Sequence, residues 1–600
     1  MAKRRSSSKE YLDMNTDDFL SYGLDDDGEE EGEEEEDVEE EAPEDEMDEG
    51  DENETSEDDE TISDVTSKPV TLQLIKKWKS SLESNEISVL KDVAKAVAAS
   101  VATLTGNKNV QPYTVKGTQE FNSLIKICLQ HVPNMLDKRI PQKSKKALPS
   151  SDSQWHRVRS SIKLHLCNLL ELVQHLTDRS MIVLLLKQVQ HLARFLVCYP
   201  RLLKSASKAL VKLWSTSTSE VSIVSFVTLR HFAAATSATF LTTLVKSMYL
   251  AFVANSKFTS PRTHPHITLM KNSLVEIFSL DHSTTYQHGF VYIRQLAIQL
   301  RTATTSHKKE SYQSVYNWQF IHCIHLWCRV LAECQSDTLK PLIFPLVQVT
   351  TGVMRLAPSS RYFPLRLYCI SSLNLLASQT GTLIPVASPL VDILGSADMQ
   401  KKPKPSTAKP INFDYILKVT KAQLQTKAFQ DAVLEKCLDG LLNYFTIHSH
   451  SIAFPELVLP IVTRLRKLCK ETKQINVKQE IKQLIDKLEE TSAEVTSTRS
   501  AVGFGPADSD TVERWEAARK RKTTAVESMY EKRKTKAAKH ERIQEISETS
   551  KITKKRPKTK ETKKKKAKKV KLDDAVVEAD DTVEDFTNWS DSDDDDALAS

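Results

Sequence analysis

From about residue 69 to 495, apolar residues recur three or four positions apart, and prolines rather than glycines separate the segments. That period belongs to helices that each bury one face. In SIKLHLCNLLELVQHL, residues 161–176, Ile162, Leu166, Leu169, Leu170 and Val173 share one face. MIVLLLKQVQHLARFLVC follows, and Tyr199 and Pro200 end it, because proline disfavours a helical residue before it. In VKQEIKQLIDKLEE, residues 477–490, Ile481, Leu484, Ile485 and Leu488 line up while the charges fall on the other side. Pro200, Pro261, Pro265, Pro341, Pro345, Pro358, Pro364, Pro385, Pro389 and Pro410 cut the body into lengths suited to one or two helices. With short connections the body has room for on the order of 20 helices. Seven glycines lie between Gly106 and Gly440, too few for repeated tight hairpins or glycine-rich phosphate loops. The expected fold is all-α, an elongated HEAT- or armadillo-like scaffold of divergent helical pairs without a fixed sequence period. A compact helical bundle is the alternative.

Charge divides the chain into regions. The formal net charge is +3, but residues 11–64 hold 30 acidic residues and no basic one, and residues 573–600 hold 12 acidic and no basic. Residues 65–572 therefore carry a net charge of +42. The expected organisation is a disordered acidic tail at 1–68 and a helical scaffold at 69–495. A polar to Lys-rich segment, partly helical, follows at 496–572, and a second disordered acidic tail at 573–600. MQKKPKPSTAKP, residues 399–410, reads as an exposed linker between helical blocks, and the body is either one continuous solenoid or two blocks hinged there. A basic body expects an anionic partner, most often nucleic acid.

Other classes find little support. No run of 18 apolar residues suggests a membrane span, and MAKRRSSSKEYLDMN has no secretory apolar core. The nine cysteines, from Cys128 to Cys469, sit mostly inside apolar helical patterns and read as reduced core residues. No G-x-x-x-x-G-K-[ST], H-E-x-x-H or G-x-S-x-G motif occurs, so no enzyme activity and no cofactor are expected. His322, Cys323, His325, Cys328 and Cys334 form a single cluster without the paired spacing of zinc sites. They read as core cysteines with histidines on a polar face, and no metal is expected. His448 and His450 read as turn residues. Trp318, Phe320 and Trp327 have the spacing of core anchors.

Two groups are candidates for anion contact. The stronger comprises Lys554, Lys555, Arg556 and Lys558, then Lys563, Lys564, Lys565, Lys566, Lys568, Lys569 and Lys571. Both clusters suit a nuclear import receptor and RNA phosphates. Without interleaved aromatics they supply affinity and little selectivity. Residues 513–548 are helix-friendly but poor in apolar residues, so an isolated helix there is marginal. The second group is Arg355, Arg361, Tyr362 and Arg366, where arginine would clamp phosphate and tyrosine would stack on a base, or the whole would meet a partner protein. Thr55, Ser56, Ser590 and Ser592 precede acidic residues and are candidates for phosphorylation.

A series of phrases carries a more specific signal. YQSVYNWQFIHCIHLW, LKPLIFPLVQVTTGVMRLAPSSRYFPLRLYCISSLNLL, TGTLIPVASPLVDIL, FDYILKVTKAQLQTKAFQDAVLEKCLDGLLNYF, HSHSIAFPELVLP and SAVGFGPAD occur in this order. Together they resemble the nucleolar complex protein 2 family, over roughly residues 150–510. The resemblance implies a non-enzymatic helical scaffold of the nucleolus and nucleoplasm that acts on large ribosomal subunit precursors. It also implies pairing with nucleolar complex proteins 1 and 3 and a part in rRNA processing and in particle maturation and export. The alternative function is a histone-binding or transcription co-regulator in chromatin. A transport receptor built on helical repeats fits the body but not the Lys-rich tail.

Overall fold

The computed structural model describes residues 68–554 apart from 106–111, 116, 142–148, 307, 357, 405–410 and 506, with side chains described as far as Lys539 except at 104 and 105. Both acidic tails and the basic residues from Lys555 onward lie outside the described residues, and only the backbone of Lys554 falls within them. The chain divides into two compact units, with the boundary between Lys534 and Thr535.

The architecture is all-α. In chain order the helices are α1 Leu72–Glu83, α2 Ile87–Thr105, α3 Thr118–Arg139, α4 Trp155–His175, α5 Arg179–His191, α6 Ala193–Leu196, α7 Pro200–Thr216 and α8 Ser219–Ala235. Then come α9 Ala238–Asn255, α10 His264–Phe278, α11 His282–Ser306, α12 Lys309–Val315, α13 Trp318–Glu333, α14 Ile343–Leu356, α15 Phe363–Thr380 and α16 Ala387–Leu394. The last are α17 Ala397–Gln400, α18 Lys421–Leu424, α19 Lys427–His448, α20 Phe454–Glu471, α21 Ile475–Arg499, α22 Ser509–Arg519 and α23 Ala525–Lys554. Among the described residues the only named strands are β1, Lys68–Pro69, and β2, Tyr113–Thr114, a short parallel pair with Lys68 opposite Tyr113.

Local chemistry sets the ends of these helices. Asp178, Asn317 and Thr426 cap α5, α13 and α19 by accepting from the amides of Met181, Phe320 and Phe429. Thr420 and Gln423 close a reciprocal capping box on α18. Pro200, Pro265, Pro364 and Pro455 stand in the first turns of α7, α10, α15 and α20, where a missing amide hydrogen costs nothing. Pro341 is the second residue of a 3-10 turn, and Pro345 and Pro389 are the third residues of α14 and α16, as helix punctuation requires. Gly381 ends α15 at φ 68°, a left-handed conformation that favours glycine.

The apolar faces read from the sequence are the buried ones. Ile162, Leu166, Leu169, Leu170 and Val173 of α4 are all buried, as are Ile481, Leu484, Ile485 and Leu488 of α21. The apolar segment after α4 is not one helix. It breaks at Leu192, whose backbone turns to φ −85° and ψ 5°, and resumes as the four-residue α6. The main packing pairs advance along the chain. They run α1 on α3, α2 on α4, α5 on α8, α7 on α8 and α9, α10 on α13, α13 on α15, α15 on α19, and α20 on α21. MQKKP is anchored at its near end. Met399 is buried, Gln430 donates to the carbonyls of Asp398 and Lys401, and the Lys404 amide donates to Gln425 at 2.8 Å.

Helix α13 is buried nearly all round. Trp327 is fully buried on it, with ring centroids of Phe278, Tyr249 and Tyr292 at 5.0, 6.1 and 6.2 Å. Gly289 of α11 admits this close approach, since a Cβ there would lie 3.2 Å from the Trp327 ring and 2.8 Å from Leu342. We expect Trp327→Ala to destabilise the chain by about 3–5 kcal/mol. Denaturant unfolding followed by circular dichroism would show this as a lower midpoint.

Candidate nucleic-acid interface

The second candidate group lies along the end of α14, the 3-10 turn Ser360–Tyr362 and the start of α15. These residues do not act as one clamp. Arg355 is exposed on the last turn of α14. The Arg361 Nε donates to the Val419 carbonyl at 3.2 Å, and the Val419 amide donates back to the Arg361 carbonyl at 2.9 Å. This arginine pins a neighbouring segment. The Tyr362 ring stacks on Tyr316 at 4.7 Å, with the Lys418 ammonium 5.9 Å from its centroid. A nucleobase would have to displace one of these neighbours. Arg366 is half-buried over the Phe363 ring, and its buried Nε has no hydrogen-bond partner. Burial lowers its pKa, and nearby Asp392 opposes the shift.

A longer basic feature, missed in the sequence, lies on α7. Arg201, Lys204, Lys208 and Lys212 are all exposed, and α7 contains no acidic residue. The spacing i, i+3, i+7, i+11 puts the four on one narrow stripe opposite buried Leu203, Leu210 and Trp214. Their side chains have no ion-pair partner among the described residues. At 1.5 Å per residue the stripe runs for roughly 16 Å, with steps of roughly 5–6 Å between charges. The hydroxyl of Tyr199, just before α7, donates to the Arg159 carbonyl at 2.7 Å, bringing α4 to the end of the stripe. The signal was present in PRLLKSASKALVK, but the denser lysines near the C-terminus dominate any count of charge.

The start of the polar C-terminal segment is part of the folded body. Thr524 and Glu527 make a reciprocal cap on α23, the Thr524 amide donating to Glu527 at 2.9 Å and the Glu527 amide to Thr524 Oγ1 at 3.3 Å. Val526 is fully buried. Arg533 donates to Asp439 at 2.9 Å and to Glu480 at 2.8 Å, which holds its pKa above the usual arginine value despite partial burial. Glu516 of α22 accepts from the Ile452 amide at 3.0 Å and from Ser451 at 2.9 Å. Arg519 is buried and donates to Thr498 at 2.8 Å. These partners lie up to 94 residues apart, beyond the reach of local pattern.

The histidine and cysteine cluster on α13 is structural in a different way from that expected. His322 is fully buried, not on a polar face. It hydrogen-bonds Thr259 at 2.8 Å and lies 3.5 Å from the Tyr368 hydroxyl. His325 hydrogen-bonds Ser372 at 3.0 Å. Among the described residues no group of three histidine, cysteine or acidic side chains is arranged to hold a metal. His448 is half-buried against Tyr444, and His450 pairs with Glu527 at 3.1 Å.

Beside this cluster lies a lysine that sequence reading passed over. Lys271 of α10 is 2 % exposed and has no hydrogen-bond or ion-pair partner among the described residues. Burial, then the charge of Arg329, lowers its pKa to about 8. His264, His322 and His325 are each depressed, first by burial and next by the Lys271 charge.

An all-α scaffold with a cationic outer stripe is the class these observations define. Residues 239–533 match the model of the Noc2p family, ending at Arg533. Nucleolar complex protein 2 of Drosophila melanogaster is 36 % identical over 475 residues, covering 77 % of this chain and 62 % of that protein. Nucleolar complex-associated protein 2 of Arabidopsis thaliana is 33 % identical, covering 74 % of this chain and 59 % of the relative. A NOC2 family protein of Schizosaccharomyces pombe is 32 % identical, with 74 % and 65 % covered. The chain thus spans less than two thirds of the length of these relatives. Over residues 239–533 it is similar to the Noc2p family.

Arg533→Ala should release the first turns of α23, read as faster hydrogen exchange and earlier tryptic cleavage within 525–534. The local cost should be about 1–3 kcal/mol, because Asp439 and Glu480 lose their charged donor. Lys271 sets a pH dependence. Above about 8 the folded chain sheds this proton while the unfolded chain keeps it to the ordinary lysine value near 10.4. Stability from this group is therefore lowest below pH 8 and rises up to the unfolded value. Lys271→Met should raise the unfolding midpoint at pH 7 and flatten that rise in a thermal series.

Proposed function

We propose that this protein is a non-enzymatic helical scaffold for ribosome biogenesis in the nucleolus, acting on large-subunit precursors. The observation that carries the reading is the match of residues 239–533 to the Noc2p family, with relatives named as nucleolar complex proteins. The cationic stripe on α7 supports contact with an RNA backbone. Its charges repeat at roughly the spacing of successive phosphates, and phosphate contacts give affinity without base selectivity. The HEAT- or armadillo-like character of the scaffold, its passage between nucleolus and nucleoplasm, and its part in rRNA processing and particle export belong to the same proposal. So does pairing with nucleolar complex proteins 1 and 3. The Lys-rich residues from Lys554 to Lys571 are proposed to engage an import receptor and to add RNA affinity. Arg355 is the most available of its group for RNA or partner contact, since Arg361 is committed to Val419.

Affinity purification after nuclease treatment tests this reading. Recovery of large-subunit precursor RNA and the related nucleolar proteins supports it. Stoichiometric histones without precursor RNA would replace it with a chromatin role. A binding experiment isolates the stripe. Changing Arg201, Lys204, Lys208 and Lys212 to Gln should flatten the slope of log affinity against log salt by roughly 3, from about 0.7–0.9 per phosphate contact. Removing residues 555–571 should flatten it separately. A deletion beginning at 514 would also unseat α22 and α23, and so could not isolate the tail.

A further inference from the structure

We propose that the seam where α10 meets α13 holds a small inorganic oxyanion of phosphate type, gripped by Lys271 Nζ and His264 Nδ1. The argument starts from an imbalance of charge. Lys271 is 2 % exposed, yet no acceptor among the described residues meets its ammonium. Buried charges are ordinarily paired, because desolvation of a lone ion is costly. His264 adds a second open donor position, since its Nδ1 is buried without a hydrogen-bond partner.

Among the described residues no carboxylate pairs with this lysine. Lys271 faces His264 on its own helix, His322, His325 and Arg329 on α13, and lies near Tyr368 of α15 through the histidines they share. The nearby carboxylates are engaged elsewhere. Glu333 accepts from Arg329 Nε at 2.8 Å, and Asp414, which lies close enough to raise the His264 pKa, accepts from Lys436 at 3.0 Å. The Arg329 guanidinium is also bonded to Asn272. His322 is committed to Thr259 and Tyr368, and His325 to Ser372.

Reach favours one compact ligand. His264 and Lys271 are seven residues apart on one helix, so their backbones are separated by roughly 10 Å along the axis. Helical side chains lean toward the N-terminus, which carries the lysine stem toward His264. A phosphate-sized ion spans what remains, and its charge offsets the lysine and draws a proton onto the imidazole. A polymer backbone would not enter a place where the lysine is this enclosed.

The test uses the full chain and inorganic phosphate. Thermal unfolding at pH 6.5 should shift upward with phosphate, saturably, and beyond the shift given by sodium chloride at equal ionic strength. Lys271→Met should abolish that extra shift. His264→Ala should weaken the apparent phosphate affinity about tenfold, the loss of one charge-assisted hydrogen bond. A wild-type midpoint that follows ionic strength alone overturns the proposal. So does an undiminished phosphate response in Lys271→Met, which would place binding on surface lysines. If Lys271→Met does not fold, unchanged affinity in His264→Ala overturns it equally.

Discussion

Burial of apolar helix faces against helices close in the chain is the constraint on which the rest depends. Each helix contributes a stripe of leucine, isoleucine, valine or phenylalanine, and each large side chain removed from water contributes about 1.5–3 kcal/mol. Helix α13 shows the limit of this arrangement. Neighbours at α10, α11, α14 and α15 enclose it, so even His322, Cys323 and Cys328 are buried there. Burial pushes the thiols of Cys323, Cys328 and Cys369 up and keeps them protonated.

That enclosure has an electrostatic consequence. The described body holds few acids for its many bases, and many of those acids are spent on internal ties. Asp439 and Glu480 hold Arg533, Glu516 holds the turn before α20, and Asp392 and Glu489 pair with Arg464 and Arg466. What is left outside is cationic, as on α7. A scaffold that satisfies its own joints with carboxylates leaves its outer faces to attract anions. The same scarcity leaves Lys271 without a carboxylate inside the α10–α13 seam.

Some of this was readable in the chain and some was not. The faces of α4 and α21 follow from period alone, because a helix with one buried side repeats its apolar residues every 3.6 positions. Proline placement told where α7, α10 and α15 begin, since the ring fixes φ. The break at Leu192 was hidden, because the apolar run continues across it. His322 of α13 is not on a polar face, because several neighbouring helices enclose the helix at that position. The stripe on α7 was present in plain spacing yet outweighed by a denser lysine cluster.

The sequence by itself determined the helical class, the punctuation of the helices and the separation of acidic from basic segments, because these depend on neighbours a few residues apart. The family resemblance was also carried by linear order. Tertiary structure decided which polar groups became enclosed and which partners they met. Arg533 reaches Asp439 across 94 positions, and Thr259 reaches His322 across 63. Such pairs cost chain entropy to bring together and are repaid only when the helices between them pack. No local pattern records that balance.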